Sequence, residues 1–518
     1  MTTVTIKRPR DRYRPAYHFT PPTGWMNDPN GLAQIDGVYH MYYQSNPYGP
    51  QHNRIHWGHA VSTDLVHWED RPLALVPLDE GPDMEGCWSG VLVKSDDGPV
   101  FVYSGRNPLE RYTQTCCLAW PTEQDRLDRF EQDPSNPMIS DPPAGVDVTE
   151  LRDHCVWRDG DTWHQVMGAG LSAKEGAEVS DKQGAILHFI SPDLRTWEFA
   201  GIMLEGSQVQ AGEAGLGTTW ECPDIFDVPG APGVEGASVP GKSVFSWSAW
   251  DEGVTLHTAY ILGTRGAQAF VPRTSARFVD LGLRHFYAPQ TIRLDDGRRL
   301  QFGWSQEGLE ELTVPEADWF GVMSLPRELW AEGNALLTRP VAEVDQLRTG
   351  EPETVALSGG TRTVLETHSV QTDTVGTVVL APGGELTIDV LATPDDSASS
   401  ERTRIRLTRS ADPAEVTLSV DRSESRSSKR LPRYDAKFLS GEIPTDESGT
   451  VELRILVDHS IIEIYANGRP LTARAYPVAL DANSIVVETN EGATVSNLST
   501  WEMAAAEQSE RFFVIDPR

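Results

Sequence analysis

The sequence predicts an all-β chain, a five-bladed β-propeller followed by a C-terminal β-sandwich. Three observations carry this. Short runs of β-branched and aromatic residues recur between turn residues, and no long stretch has helical periodicity. The pattern S-x-D-L-x-x-W-E occurs twice, at 62–69 and at 191–198. Fourteen of the fifteen tryptophans lie at or before Trp330, so the two parts of the chain differ in chemistry.

Each element supports the reading in turn. Residues 38–43, 99–103, 185–190 and 243–247 are β-rich runs of the kind that form short strands. The octapeptide echo in such a chain points to repeated sheet modules, as in a propeller. A first part of roughly 330 residues suits about five blades at the upper end of usual blade lengths. The propeller is expected over 1–338, a linker over 339–352 and the sandwich over 353–518. In the second part Val451, Leu453, Ile455 and Val457 point one way, with Glu452 and Arg454 between them. Ile462, Ile464 and Ala466 continue the pattern up to Asn467-Gly468, a two-residue hairpin signal. Such turn-separated strands read as a sandwich. The Ser-rich stretches 395–404 and 423–430 read as exposed loops.

Size and charge narrow the function. A chain of 518 residues is too long for one ordinary domain. The 44 basic and 76 acidic residues give a net charge of −32. Nucleic acid and anionic membrane are therefore disfavoured as partners, and a neutral polar ligand such as a carbohydrate is compatible. No apolar run approaches the roughly 20 residues that span a bilayer. The first eight residues lack the apolar core of a signal peptide, which predicts a cytoplasmic protein, or an extracellular one if a leader has been removed. Five cysteines without a repeated spacing argue against a disulfide framework, and no zinc pattern is present. His56 and His59 read as core or loop histidines. The sequence carries no signal for oligomeric state.

Three carboxylates stand out. Asp28 lies in Trp25-Met26-Asn27-Asp28-Pro29-Asn30-Gly31. Pro29 disfavours helical geometry at Asp28, and Asn30-Gly31 signals a turn. Trp25 offers an apolar face on which a sugar ring can stack, and Asn27 an amide for its hydroxyls. Asp153 follows Arg152 among apolar and aromatic neighbours, an acid that the arginine would hold ionised. Glu221 lies between Trp220 and Cys222, which would desolvate it and raise its pKa as a general acid requires. Glycoside cleavage needs two such carboxyl groups, one at the anomeric carbon and one at the leaving oxygen. A propeller funnel brings distant strands together, so positions 28, 153 and 221 can meet there.

On these segments the chain resembles glycoside hydrolase family 32, the invertase and fructanase family. The matching stretches are 25–31, Tyr43-Gln44, His56-Trp57-Gly58-His59-Ala60, Trp88-Ser89-Gly90, Arg152-Asp153, Glu221-Cys222-Pro223-Asp224, 286–290, 324–329 and, in the second part, 457–465. The resemblance implies a five-bladed propeller with a β-sandwich, and retaining hydrolysis of β-fructofuranosides such as sucrose and fructooligosaccharides. Transfructosylation, or cleavage of levan or inulin, is the alternative on the same fold. Asp28 would be the nucleophile, Glu221 the acid/base and Asp153 the transition-state stabiliser. Trp25, Asn27, Gln44, Trp57, Trp88, Ser89, Arg152 and Tyr287 would bind substrate. No metal or organic cofactor is implied. The family usually has proline after the Arg-Asp pair; His154 stands there, a titratable group beside the stabiliser.

Overall fold

The computed structural model describes residues 2–6, 11–107, 113–123, 126–172, 182–230, 238–307, 317–394, 400–411, 415–425, 436–506 and 511–515. Five antiparallel sheets follow one another in the first part, each opened by a strand on the propeller axis. These inner strands are Gly24–Ile35, Gly86–Ser95, Val148–Asp159, Thr219–Pro229 and Tyr287–Arg293. Successive inner strands touch, and the fifth returns to the first, so the ring is closed. Trp319–Phe320 pairs in parallel with Gly24 and Trp25, tying the end of the ring to its beginning. Radial repetition of this kind leaves only a short outer edge on each blade.

The octapeptide echo is a repeated blade corner. In blade 1 the Asp64 carboxylate accepts the N–H groups of Val66 and His67 at 3.0 and 2.8 Å. In blade 3 Asp193 accepts those of Arg195 and Thr196 at 2.9 and 2.7 Å. Leu65 and Leu194 both take positive φ, 67° and 65°, and both are buried. The aspartate turn fixes the chain reversal into the outer strand, and the leucine anchors it in the core.

The second part forms two packed six-stranded sheets. Val451, Leu453, Ile455, Val457, Ile462, Ile464 and Ala466 all face their common core, as the alternation requires. Asn467 and Gly468 take φ of 46° and 79°, the geometry of a tight hairpin. Residues 339–352 hold the end of the strand Ala335–Pro340, the 3-10 turn Ala342–Leu347 and the start of the strand Arg348–Ser358. Residues 395–399 and 426–430 of the Ser-rich stretches lie outside the described residues. The described remainder departs from exposed loop: Glu401, Thr403 and Ser425 are buried, and Arg404 sits in the strand Thr403–Arg409.

Sandwich and propeller dock through a buried charge cluster. Arg327 and Asp280 come from the propeller, Glu463, Asp458 and Thr472 from the sandwich, and His18 from the lead-in segment. Arg327 reaches Asp280 at 2.7 Å and Glu463 at 3.3 Å. Asp458 pairs with His18 at 2.9 Å and accepts the N–H groups of Ala16, Tyr17 and His18. Thr472 gives its hydroxyl to Asp280 at 2.7 Å. Every charged side chain here has zero exposure. Burial alone would raise Glu463, but Arg327 and His18 outweigh it and hold the carboxyl at about 2. Burial opposes protonation of His18, yet Asp458 and Glu463 lift its pKa above the ordinary value.

Candidate active site

All five inner strands carry a register break at one level. The breaks fall between Met26 and Pro29, Cys87 and Gly90, Arg152 and His154, Glu221 and Asp224, and Tyr287 and Gln290. A β-bulge re-aims side chains that strict alternation would send to the other face. Asp153, Cys222 and Ala288 sit in these breaks with φ of 62°, 45° and 48°. The five bulges form the floor of a funnel, a cavity of about 490 Å³.

Asp28, Asp153 and Glu221 meet on this floor, although 125 and 68 positions separate them in sequence. Asp28 is held by neutral donors. Ser89 Oγ donates to Oδ2 at 2.5 Å, Gln44 Nε2 to Oδ2 at 3.2 Å, and Asn27 Nδ2 to Oδ1 at 3.1 Å. Gln44 Nε2 also bonds Ser89 Oγ. Burial pushes Asp28 up to about 6, with Ser89 drawing it down and the Glu221 charge pushing it further up. The thiol of Cys222 lies 3.5 Å from Asp28 Oδ2 and 3.4 Å from Asp153 Oδ2. Asp153 Oδ2 accepts the Cys222 N–H at 2.9 Å. Burial, then the charge of Glu221, raises Asp153 above the usual carboxylate range.

Glu221 has a different shell. Arg152 Nε donates to Oε1 at 2.9 Å and Tyr287 Oη to Oε2 at 2.5 Å. Burial and the Glu221 charge keep the Tyr287 phenol neutral, hence a donor. The acid remains partly open to the funnel, with 15% of its side chain exposed.

Four sequence expectations change here. Arg152 gives its hydrogen bonds to Glu221 and Glu150 rather than to its neighbour Asp153. Trp220 does not desolvate Glu221: alternation turns its ring into the core between blades, against Phe245 and Trp247. Trp57 is fully buried beside Phe101 and does not reach the funnel; its indole N–H braces the Cys87 and Trp88 carbonyls. His154 adds no charge beside Asp153, because burial drops its pKa to about 3, and its Nε2 lies 3.1 Å from Ser104 Oγ. That hydroxyl in turn accepts the Asp153 N–H at 2.9 Å.

Trp25, Asn27, Gln44, Trp88, Ser89, Arg152 and Tyr287 do line the funnel. Trp25 is 6% exposed, stacked on Phe320 and edge-on to Trp304, so it stiffens the wall and offers little open face. Its indole N–H orients Asn27 at 2.8 Å. The sequence reading missed His52, Arg106, Glu150, Trp250, Arg284 and Trp304 on the same wall. Only Glu150 carried a usable signal, two residues from Arg152 on one strand face.

A closed five-bladed propeller with this carboxylate floor and a docked sandwich has the makings of a glycoside hydrolase, and comparison with known proteins specifies that it acts on fructosides. Residues 18–340 match the glycosyl hydrolases family 32 N-terminal domain and residues 343–502 its C-terminal counterpart. The chain belongs to glycoside hydrolase family 32. It is 30% identical to a sucrose-6-phosphate hydrolase of Zymomonas mobilis over 87% of its length and 83% of the relative's. It is 29% identical to a fructan 6-exohydrolase of Beta vulgaris, over 96% and 88%. The crystal structure of fructan 1-exohydrolase IIa from Cichorium intybus superposes with a TM-score of 0.81 at 27% identity, over 98% of this chain and all of that one.

Proposed function

We propose that the protein is a retaining β-fructofuranosidase that releases terminal β-D-fructofuranosyl units from sucrose and fructooligosaccharides. The observation that carries this is the pairing of Asp28 and Glu221 on one floor with opposite shells. Among the described residues Asp28 has donors but no cation bonded to it, as suits a nucleophile whose charge must move to the sugar. Glu221 faces the open funnel, as suits a group that exchanges protons with substrate and water. Asp28 attacks the anomeric carbon of the fructosyl unit while Glu221 gives its proton to the departing oxygen. Water, deprotonated by Glu221, then opens the ester and frees Asp28. Asp153 accepts hydrogen bonds from hydroxyls of the fructosyl ring and faces the positive charge that develops on it. Ser89 and Gln44 fix the Asp28 carboxylate by hydrogen bonds to one oxygen, leaving Oδ1 with Asn27 alone.

A sugar hydroxyl can replace water in the second step, which gives transfructosylation from the same intermediate. A further substrate reading rests on Arg106 and Arg284 in the funnel wall, which suit a sugar phosphate. Sucrose-6-phosphate hydrolases among the relatives agree with it. The ratio of kcat/KM for sucrose and for sucrose 6-phosphate, in wild type and in Arg106→Gln and Arg284→Gln, separates the two. The mechanism itself is tested by turnover in methanol. Retention gives methyl β-fructofuranoside as the first transfer product; the α-anomer would contradict it.

A further inference from the structure

Among the described residues Arg152 is the one cation bonded to the acid/base carboxyl, and it is shared. One guanidinium nitrogen bonds Glu150, while Nε bonds Glu221 at 2.9 Å. The guanidinium carbon lies 5.3 Å from the centre of the Trp250 ring, so the plane is fixed on a third side. Glu150 is 4% exposed and lines the funnel two residues before Arg152. A register break between Val148 and Glu150 sets this strand segment, and the next break follows Arg152. Positions 150 and 152 therefore share a face, and Asp153 joins them only through its bulge.

Three carboxyls, those of Glu150, Asp153 and Glu221, thus stand around the Arg152 guanidinium. Arg106 also acts on Glu150 through its charge, and Glu221 acts on it as a like charge. Unshared, Arg152 at 2.9 Å would strongly favour the ionised form of Glu221. A general acid must instead arrive protonated.

Taking Glu221 as the acid/base proposed above, we propose that Glu150 is a positioning residue that offsets the Arg152 charge and so keeps Glu221 able to act as an acid. Its carboxyl bonds Arg152 rather than Asp28, Asp153 or Glu221. It works through Arg152, by occupying one of its nitrogens and by adding a negative charge behind it. The proton that reaches the glycosidic oxygen still leaves from Glu221, and the one returned comes from water.

The test compares pH profiles of kcat/KM for wild type, Glu150→Gln, Glu150→Asp and Glu221→Gln. Each is measured on sucrose, whose leaving group needs protonation, and on 4-nitrophenyl β-fructofuranoside, whose leaving group does not. Glutamine keeps the shape and a hydrogen-bond acceptor but removes the charge. In Glu150→Gln the alkaline limb for sucrose is expected to move down by about one pH unit, a roughly tenfold loss on that side. The aryl fructoside should keep its rate there, which also shows that the variant is folded. Glu150→Asp, still charged, should keep its limb closer to wild type. An alkaline limb in Glu150→Gln that coincides with wild type overturns the proposal, as does an equal shift in both Glu150 variants. If Glu221→Gln turns over sucrose at a near-normal rate, the acid/base assignment falls instead.

Discussion

Two buried charge clusters sit in this molecule, and they are built on opposite principles. The cluster between propeller and sandwich places Arg327 and His18 among Asp280, Asp458 and Glu463, with backbone and hydroxyl donors filling the remaining acceptors. Two of its acids are held low, Glu463 at about 2 and Asp458 below its ordinary value. The funnel cluster bonds Arg152 to Glu150 and Glu221 beside Asp28 and Asp153, with Arg106 and Arg284 in the same wall. Three of its acids, Asp28, Glu150 and Asp153, are pushed up, first by burial. Compensated charge serves cohesion; undercompensated charge is stored for chemistry.

The comparison is broken most forcefully at Asp28. Asp28→Asn should lower kcat on sucrose by about 10⁴-fold or more, the scale at which loss of a nucleophile is felt. Its melting temperature should stay level or rise, because a buried, unpaired charge has been removed. A large loss of stability would mean that Asp28 is structural.

Arg327→Met is the mirror experiment. It leaves Asp280 buried without its cation and Glu463 with His18 alone, and should cost about 3–5 kcal/mol of unfolding free energy. Denaturation followed by tryptophan fluorescence measures it; a loss below about 1 kcal/mol would show the cluster to be dispensable.

The same contrast has a pH signature. Glu463 has a depressed folded-state pKa, so its contribution to stability is present above its unfolded value of 4.5 and is lost as pH falls towards about 2. His18 has a raised one, so its contribution is full below 6.5 and is lost as pH rises through the raised value. Melting temperature should therefore fall on both sides, and Glu463→Gln should flatten the acid side. Activity follows other groups. The acid limb of kcat/KM should lie near pH 6, where Asp28 takes up a proton. Ser89→Ala removes the largest effect holding that value down, so the limb should move to higher pH.

The smallest expected effect is at Trp57. Because its ring lies in the core beside Phe101, Trp57→Phe should leave KM for sucrose unchanged and cost about 1 kcal/mol of stability. A several-fold rise in KM would return Trp57 to the substrate wall.

These sites also show how far a sequence reaches. The blade corners at Asp64 and Asp193 were legible because a local side chain makes a local turn. Asp28, Asp153 and Glu221 were legible as unusual acids in unusual settings. Their neighbours were not, because adjacent residues on a strand face opposite ways: Arg152 points past Asp153 to Glu221, and Trp220 turns its back on Glu221. Bulges reverse that rule at single positions, and nothing in the residue types announces them. The interdomain cluster was hidden for a different reason. His18 and Asp458 meet across 440 positions, and only the docked sheets bring them together.

The most direct test of the central claim is to trap the intermediate. Glu221→Gln is mixed with 4-nitrophenyl β-fructofuranoside, which needs no acid to depart, while the missing base stalls the second step. Rapid acid quench and peptide mapping by mass spectrometry should find one fructosyl unit attached to Asp28 within the peptide that contains residues 24–31. An adduct on another residue, or full turnover without any adduct, would contradict the account.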